Sequence, residues 1–218
     1  MKKDKAIIVF ARHPVIGKVK TRLAKTMGDE FAASFYKVCA EHTFTEVEKT
    51  VGTGLFLFCS EKNEIEKLKN WGGEHFTYYV QRRGDLGLRM LNAFRSVFKE
   101  GHNQAVIIGT DTPDINSGLI QQAFSELNNH EYVIGPSNDG GYYLLGMKSP
   151  AIDLFTGVEW STDSVFNKTI KKFKCKNAAF KVLNVLNDID TEKDLNKWHN
   201  EFSGVKSHPV KVFLDSNL

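Results

Sequence analysis

The 218 residues, 41% hydrophobic and 25% charged, are enough to bury a sizeable core in the manner of an ordinary soluble globular protein. A formal net charge of only +3, with no aromatic residues interleaved among basic ones, argues against nucleic acid as a partner. Three widely spaced cysteines, with no CxxC pair, exclude a disulfide framework and zinc spacing and fit a reducing cytoplasm, and no stretch approaches the roughly 20 apolar residues of a membrane span.

Residues 1–5 are mostly basic and precede an apolar run, an arrangement that imitates a signal peptide. The run at 6–11 is too short for that and Arg12 ends it, so a buried first strand is expected instead. Directly after it comes Arg12-His13-Pro14-Val15-Ile16-Gly17-Lys18-Val19-Lys20-Thr21-Arg22-Leu23. Five cationic side chains (Arg12, Lys18, Lys20, Arg22, Lys25) fall between Arg12 and Lys25, and no acidic one does. A basic, glycine-hinged turn at a strand's carboxyl end is where open α/β sheets form a crevice and where backbone N–H groups favour anions.

Further along, apolar runs alternate with helix-period segments, the pattern of a mostly parallel sheet covered by helices. Strands are expected at 6–11, 54–59, 76–81, 105–109, 132–135, 142–147 and 180–185. Helical stripes run through Phe31, Phe35, Val38, Cys39 and His42, then Leu86, Met90, Leu91, Phe94, Val97 and Phe98, then Ile120, Ala123, Phe124 and Leu127. Ser161 or Thr162 is read as the cap of a helix running to Phe173. A capping box, Thr191-Glu192-Lys193-Asp194, opens a last helix carrying Leu195, Trp198 and Phe202. No linker, low-complexity run or repeat divides the chain. Residues 1–202 are therefore read as one domain and 203–218 as a tail, either an added edge strand or a docked segment.

Four further places could carry chemistry. In Ile108-Gly109-Thr110-Asp111-Thr112-Pro113-Asp114, Asp111 follows a buried-type strand and should stand on the crevice rim. There it suits a Mg²⁺ or Mn²⁺ ion that bridges phosphate oxygens, because such ions take one or two protein carboxylates at about 2.1 Å with substrate and water completing the shell. Asp114 is read as the cap of a helix starting near Ser117. The turn Asn187-Asp188-Ile189-Asp190-Thr191 supplies a second carboxylate to meet Asp111, with Asp190 a metal ligand or simply the cap of the last helix. The turn Ser137-Asn138-Asp139-Gly140-Gly141 joins two strands and lets a substrate approach the backbone, with Asp139 as acceptor or base. Finally, Asp85 begins a long helix on which Arg89 is placed to hold an anion across the crevice. Walker and Rossmann fingerprints both fail, since Val19 follows Gly17-Lys18 and Gly52-Thr53-Gly54 precedes a strand; no HExxH occurs.

The order HPVIGKVKTRLA, GDLGLRM, IIGTDTPDI, GPSNDGGYYLLG, VEWST and NDIDTEKDL resembles the bacterial DUF2064 family, whose members are classed as glycosyltransferases in the nucleotide-diphospho-sugar transferase superfamily. The match covers about residues 6–202. The resemblance implies a GT-A-like three-layer α/β/α sandwich with a nucleotide in its amino-terminal half and a divalent cation, Mg²⁺ or Mn²⁺, beneath the phosphates. By position, Gly17, Lys18, Lys20 and Arg22 match the phosphate-gripping loop of distant cytidylyl- and guanylyltransferases, with Arg12 and Arg89 as further phosphate contacts, and Asp111 and Asp190 match their metal carboxylates. Asp111-Thr112-Pro113 stands where many glycosyltransferases carry DxD. The expectation is a metal-dependent transferase that takes a nucleotide sugar, or a nucleoside triphosphate, plus a small-molecule acceptor, with Lys18, Arg22 and Asp139 as catalytic residues. A non-catalytic nucleotide-binding module is the reading from another class.

Overall fold

The computed structural model describes residues 4–218. The chain runs β1 (Lys5–Phe10), α1 (Thr21–Met27), α2 (Asp29–Glu48), β2 (Thr53–Cys59), a single 3-10 turn (Lys62–Glu64), α3 (Ile65–Gly72), β3 (Thr77–Val80), α4 (Leu86–Lys99), β4 (Gln104–Ile108) and α5 (Ser117–Asn129). It continues through β5 (Tyr132–Pro136), β6 (Tyr142–Met147), α6 (Ile152–Phe155), α7 (Val165–Cys175), β7 (Phe180–Val182), α8 (Glu192–Glu201) and α9 (Pro209–Asn217).

Seven strands form one sheet in the order β3-β2-β1-β4-β6-β5-β7. All neighbours are parallel except β6, which runs against both β4 and β5. The central strands are apolar on both faces, as buried parallel strands must be. On β1, Ile7 and Val9 face the side covered by α2, α3 and α5, while Ala6 and Ile8 face α4, α6 and α7. Val106 and Ile108 of β4 share the first side, and Ala105 and Ile107 the second. The result is the expected three-layer α/β/α sandwich. A third apolar cluster joins α1 and α2 to the carboxyl-terminal helices through Leu23, Phe35, Ile189, Leu195, Trp198, Val210 and Leu214.

Local signals explain several boundaries. Asp85 accepts from the Leu88 N–H at 2.8 Å and caps α4, and Thr191 with Asp194 forms the capping box of α8. Other expectations are corrected. Asn116, not Asp114, caps α5, because the residue bordering the helix is the one whose side chain reaches Leu119 N–H at 3.0 Å; Asp114 instead accepts from Trp198 Nε1 at 2.9 Å. Ser164 precedes α7 with no side-chain cap, and Ser161 lies in left-handed backbone before it. The last strand ends at Val182, after which Val185 is exposed at the sheet's edge. Residues 209–217 are a helix rather than an edge strand: Pro209 occupies the first turn, and Val210, Phe213 and Leu214 recur at helical spacing against α2 and α8.

Candidate functional site: a basic and acidic cleft at the strand ends

A cleft of about 580 Å³ opens where β1 and β4 end and the reversed β6 begins, a size suited to a small-molecule ligand. Its walls are contributed by distant parts of the chain. The turn after β1 supplies Arg12, Lys18, Lys20 and Arg22; α4 supplies Arg89 and Met90; the turn after β4 supplies Asp111 and Thr112; β6 supplies Tyr142; the segment before α8 supplies Asp188 and Asp190. Two backbone links bring the last of these into place. Leu186 N–H donates to Pro136 O at 3.1 Å, and Ile189 N–H donates to Asp111 O at 3.1 Å. Asp188 and Asp190 thus flank a residue hydrogen-bonded to Asp111 itself, so both stand beside it.

The five cations of the opening turn are not equivalent. Lys20 is turned inward, its side chain 3% exposed, with Nζ 2.6 Å from Asp111 Oδ1 and 3.0 Å from Asp190 Oδ1. Burial pulls its pKa down, yet the two carboxylates outweigh burial and leave it above that of an ordinary lysine. Arg22 caps the other oxygen of Asp190 at 2.5 Å, and these cations hold the Asp190 carboxyl low despite its burial. Among the described residues no carboxylate lies within ion-pair distance of Arg12, Lys18 or Arg89. Lys25 is absent from the cleft lining. Gly17 also does not line the cleft; its φ of 75° makes the turn that closes with Lys18 N–H on Val15 O at 3.0 Å and sets Lys18 at the rim.

Asp188 is the most enclosed acid here. Burial, helped by Asp111 and Asp139, pushes its carboxyl up to about 6, while a hydrogen bond donated by the Thr112 hydroxyl opposes the rise. Asp139 is exposed and outside the cleft lining. It accepts from Ser137 Oγ at 2.5 Å and from Gly141 N–H at 2.9 Å, an Asx arrangement that shapes its own turn. Gly140 has a φ of 87°, and a Cβ there would come within 2.1 Å of Asp163 O, so only glycine lets this turn pack on the segment before α7.

Three cleft residues escape sequence reading. Tyr36 lies on the buried face of α2, where helical periodicity singles out Phe35; its hydroxyl takes Arg12 N–H at 2.9 Å and Thr110 Oγ1 at 3.2 Å, tying the two strand-end turns together. Burial pushes the phenol up to about 12. Thr112, between Asp111 and Pro113, has no motif of its own, and Gln81, just past β3, lines the cleft with no sequence signal beyond its strand-end position.

Among the described residues no three His, Cys, Asp or Glu side chains gather closely enough to hold a cation by themselves. Asp111 nevertheless keeps one carboxylate oxygen outside its pairing with Lys20, and Asp188 keeps one outside its bond from Thr112. Such a donor set fits a hard cation that completes its shell with substrate phosphates and water, the habit of Mg²⁺, and not an all-protein cage.

Fold and cleft define a class, the transferases built on the nucleotide-diphospho-sugar transferase sandwich. The sequence pattern of DUF2064, described as an uncharacterized protein conserved in bacteria, matches residues 43–162, and the chain belongs to that family. A crystal structure from Desulfovibrio desulfuricans G20, named provisionally as a nucleotide-diphospho-sugar transferase, superposes with a TM-score of 0.93 at 31% identity over 99% of this chain and 96% of that one. A 2-phospho-L-lactate guanylyltransferase of Methanocaldococcus vulcanius is 26% identical over 96% of this chain and 90% of its own length. The 4-diphosphocytidyl-2C-methyl-D-erythritol synthase of Anaerococcus prevotii DSM 20548 shares the fold at a TM-score of 0.61 and 10% identity, covering 98% of this chain and 96% of that one. No helix among the described residues is long and apolar enough to cross a membrane.

Proposed function

We propose that the chain is a nucleotidyltransferase: it binds a nucleoside triphosphate in the cleft, joins the nucleotide to a small-molecule acceptor and releases pyrophosphate. The observation that carries this reading is the placement of Arg12, Lys18 and Arg22 on one wall of the cleft that also holds Asp111 and Asp188. An acceptor oxygen attacks the α-phosphorus, the bond from that phosphorus to the bridging oxygen of the β-phosphate breaks, and the electron pair leaves on pyrophosphate. Lys18 and Arg12, free of acidic partners, are the groups positioned to offset charge as it builds on the leaving β- and γ-phosphates. Arg89 faces them from α4, its Nε anchored on Gly84 O at 2.8 Å, and holds an anionic part of donor or acceptor. Asp111, with Asp188 or Asp190, would hold Mg²⁺ or Mn²⁺, which when bound neutralises phosphate oxygens as a Lewis acid. Asp139 serves as the turn's organiser in this reading, not as the base.

The second reading, glycosyl transfer from a nucleotide sugar, is favoured by the name of the Desulfovibrio relative. One experiment separates them. The protein is screened by thermal shift against GTP, CTP, UTP, ATP and common nucleotide sugars, with and without Mg²⁺, since a ligand of the folded state raises apparent stability by mass action. Nucleotides that bind are then assayed with hydroxy, phosphate and carboxylate acceptors. Pyrophosphate release supports nucleotidyl transfer, nucleoside diphosphate release from a nucleotide sugar supports glycosyl transfer, and nucleotide binding without either supports the non-catalytic module.

A further inference from the structure

We infer that Lys20 is a tethered counter-ion: it occupies the gap between Asp111 and Asp190 and gives those acids up to a divalent cation only when a polyphosphate arrives to receive its ammonium. Cation and polyphosphate then bind cooperatively. The inference rests on the reading of the cleft as a nucleotide site, and deepens it by assigning Lys20 a role that the other cations of the same turn do not share.

Three observations converge. The ammonium lies 2.6 and 3.0 Å from the two acids on a side chain that is 3% exposed, whereas the Arg22 side chain is 67% exposed. A cation entering the cleft therefore meets a positive charge already seated between the carboxylates it needs. The backbone of Lys20 is left-handed, φ 46° and ψ 43°, a conformation that strains a side-chain-bearing residue and persists only where the surroundings fix it. Here it stands at the start of α1 and turns the lysine inward. Finally, both oxygens of Asp190 are taken, one by Lys20 and one by Arg22, and no three ligating side chains among the described residues form a closed set. The protein by itself offers a cation an incomplete and guarded site.

Phosphate resolves both deficits at once. Its oxygens would complete the cation's shell and offer a new anionic partner to an ammonium on a flexible four-carbon stem anchored on the same turn as Lys18. A lysine that leaves Asp111 for a phosphate oxygen exchanges one charge-assisted hydrogen bond for another, whereas a lysine displaced without phosphate loses its partners. By thermodynamic linkage each ligand strengthens the other by the same factor. Lys20 is thus a positioning residue that acts through the acids until the phosphate arrives.

The test begins with Mn²⁺ alone, titrated into nucleotide-free protein and followed by the electron paramagnetic resonance signal of the free aquo ion. Lys20→Met should bind Mn²⁺ about tenfold or more tightly than the wild type, and Lys20→Arg, which keeps the charge, should stay near the wild type. Adding tripolyphosphate, after correction for Mn²⁺ bound to it in solution, should tighten Mn²⁺ on the wild type and do so far less on Lys20→Met. Equal Mn²⁺ affinity in Lys20→Met and wild type overturns the inference, as does a wild type indifferent to tripolyphosphate. Near-ultraviolet circular dichroism reports whether Lys20→Met is folded. Should it not be, the ¹⁵Nζ resonance of Lys20 in the wild type decides: it should hold its position with Mg²⁺ alone and move with Mg²⁺ plus tripolyphosphate, and movement with Mg²⁺ alone overturns the idea. Failure of every nucleotide to bind removes the proposed function, yet leaves the predicted gain of Mn²⁺ affinity in Lys20→Met to be scored separately.

Discussion

The turn after β4 feeds two polar clusters of opposite character. On one side Asp111 and Thr112 join Lys20, Asp188 and Asp190 in the open cleft. Three residues further on, Asp114 meets Trp198, and His42 packs against His208 with ring centroids 4.4 Å apart and the rings tilted by 55°, walled in by Phe202 and the α8–α9 helices. The first cluster carries full charges of both signs and leaves carboxylate oxygens and cations open to a ligand. The second is mostly neutral and closed. Burial keeps His42 and His208 below the usual histidine pKa, and His42 Nε2 bonds to Ile115 O at 2.9 Å. Polar groups inside a fold are costly unless paired, and the two clusters answer that cost differently: the cleft keeps charge in reserve for a substrate, and the annex spends its polar contacts on holding the carboxyl-terminal helices.

The sharpest way to break this contrast is to remove a charge from the cleft and watch activity and stability separately. Asp111→Ala should lower nucleotidyl transfer by about 10³, measured as pyrophosphate release, because it deletes a group that acts on charge formed in the transition state; its melting temperature should fall only modestly, since the buried Lys20 loses its nearer partner but keeps Asp190. A loss of folding with retained activity per folded molecule would reverse the assignment of the two clusters. Trp198→Ala is the complementary cut. It should cost about 3–5 kcal/mol in denaturant unfolding, as large-to-small changes in aromatic cores do, while nucleotide affinity of the folded protein is unchanged. Lys18→Ala tests the cleft more finely: triphosphate binding should weaken about tenfold, about 1.4 kcal/mol, with monophosphate binding weakened less. Equal losses would take Lys18 off the β- and γ-phosphates.

The annex also carries a pH dependence of its own. Burial first, then His42, lowers His208 from 6.5 to about 4, so the unfolded chain takes up a proton that the folded chain refuses. The stability contributed by a neutral His208 is therefore fully present above pH 6.5 and is lost as pH drops through the window toward 4. Glu46 and the Pro113 carbonyl oppose the shift from the α2 side and the β4–α5 turn. Asp188, held up to about 6 in the cleft, contributes in the opposite sense as pH falls, so the comparison is with the variant: His208→Phe should lose less melting temperature than the wild type between pH 6.5 and 4, and equal losses in the two proteins would show that the ring is not held neutral.

Much of this architecture was legible from the residues. Strands such as Tyr142–Met147 and the capping box at Thr191 follow from local chemistry, namely apolar runs and a side chain that reaches back to its own backbone. The hairpin-like turn at Asn138-Asp139-Gly140-Gly141 announces the antiparallel pairing of β5 with β6, whereas the pairing of β6 with β4 is decided by contacts far along the chain. The tail misleads for a similar reason. Lys-Val-Phe-Leu reads as a short strand until Pro209 is counted as a helix start and Val210 and Leu214 as one face. In the site, sequence places cations and acids at strand ends but does not sort them: that Lys20 is buried among the acids while Lys18 stands at the rim depends on the positive-φ backbone of Gly17 and Lys20, and that Asp139 stays in its turn depends on Ser137 and Gly141. Tyr36 and Thr112 are found only through the partners they meet in space.

The sheet tapers toward its borders: β1, β2 and β6 are six or seven residues long, while the outermost strands, β3 and β7, have four and three. Unpaired backbone at a border is a template for another copy's strand, and short borders offer little of it. Crowding in the cell therefore finds few open rungs on which to build a continuous ladder from chain to chain, and the long apolar strands that could seed one are sealed in the middle of the sandwich.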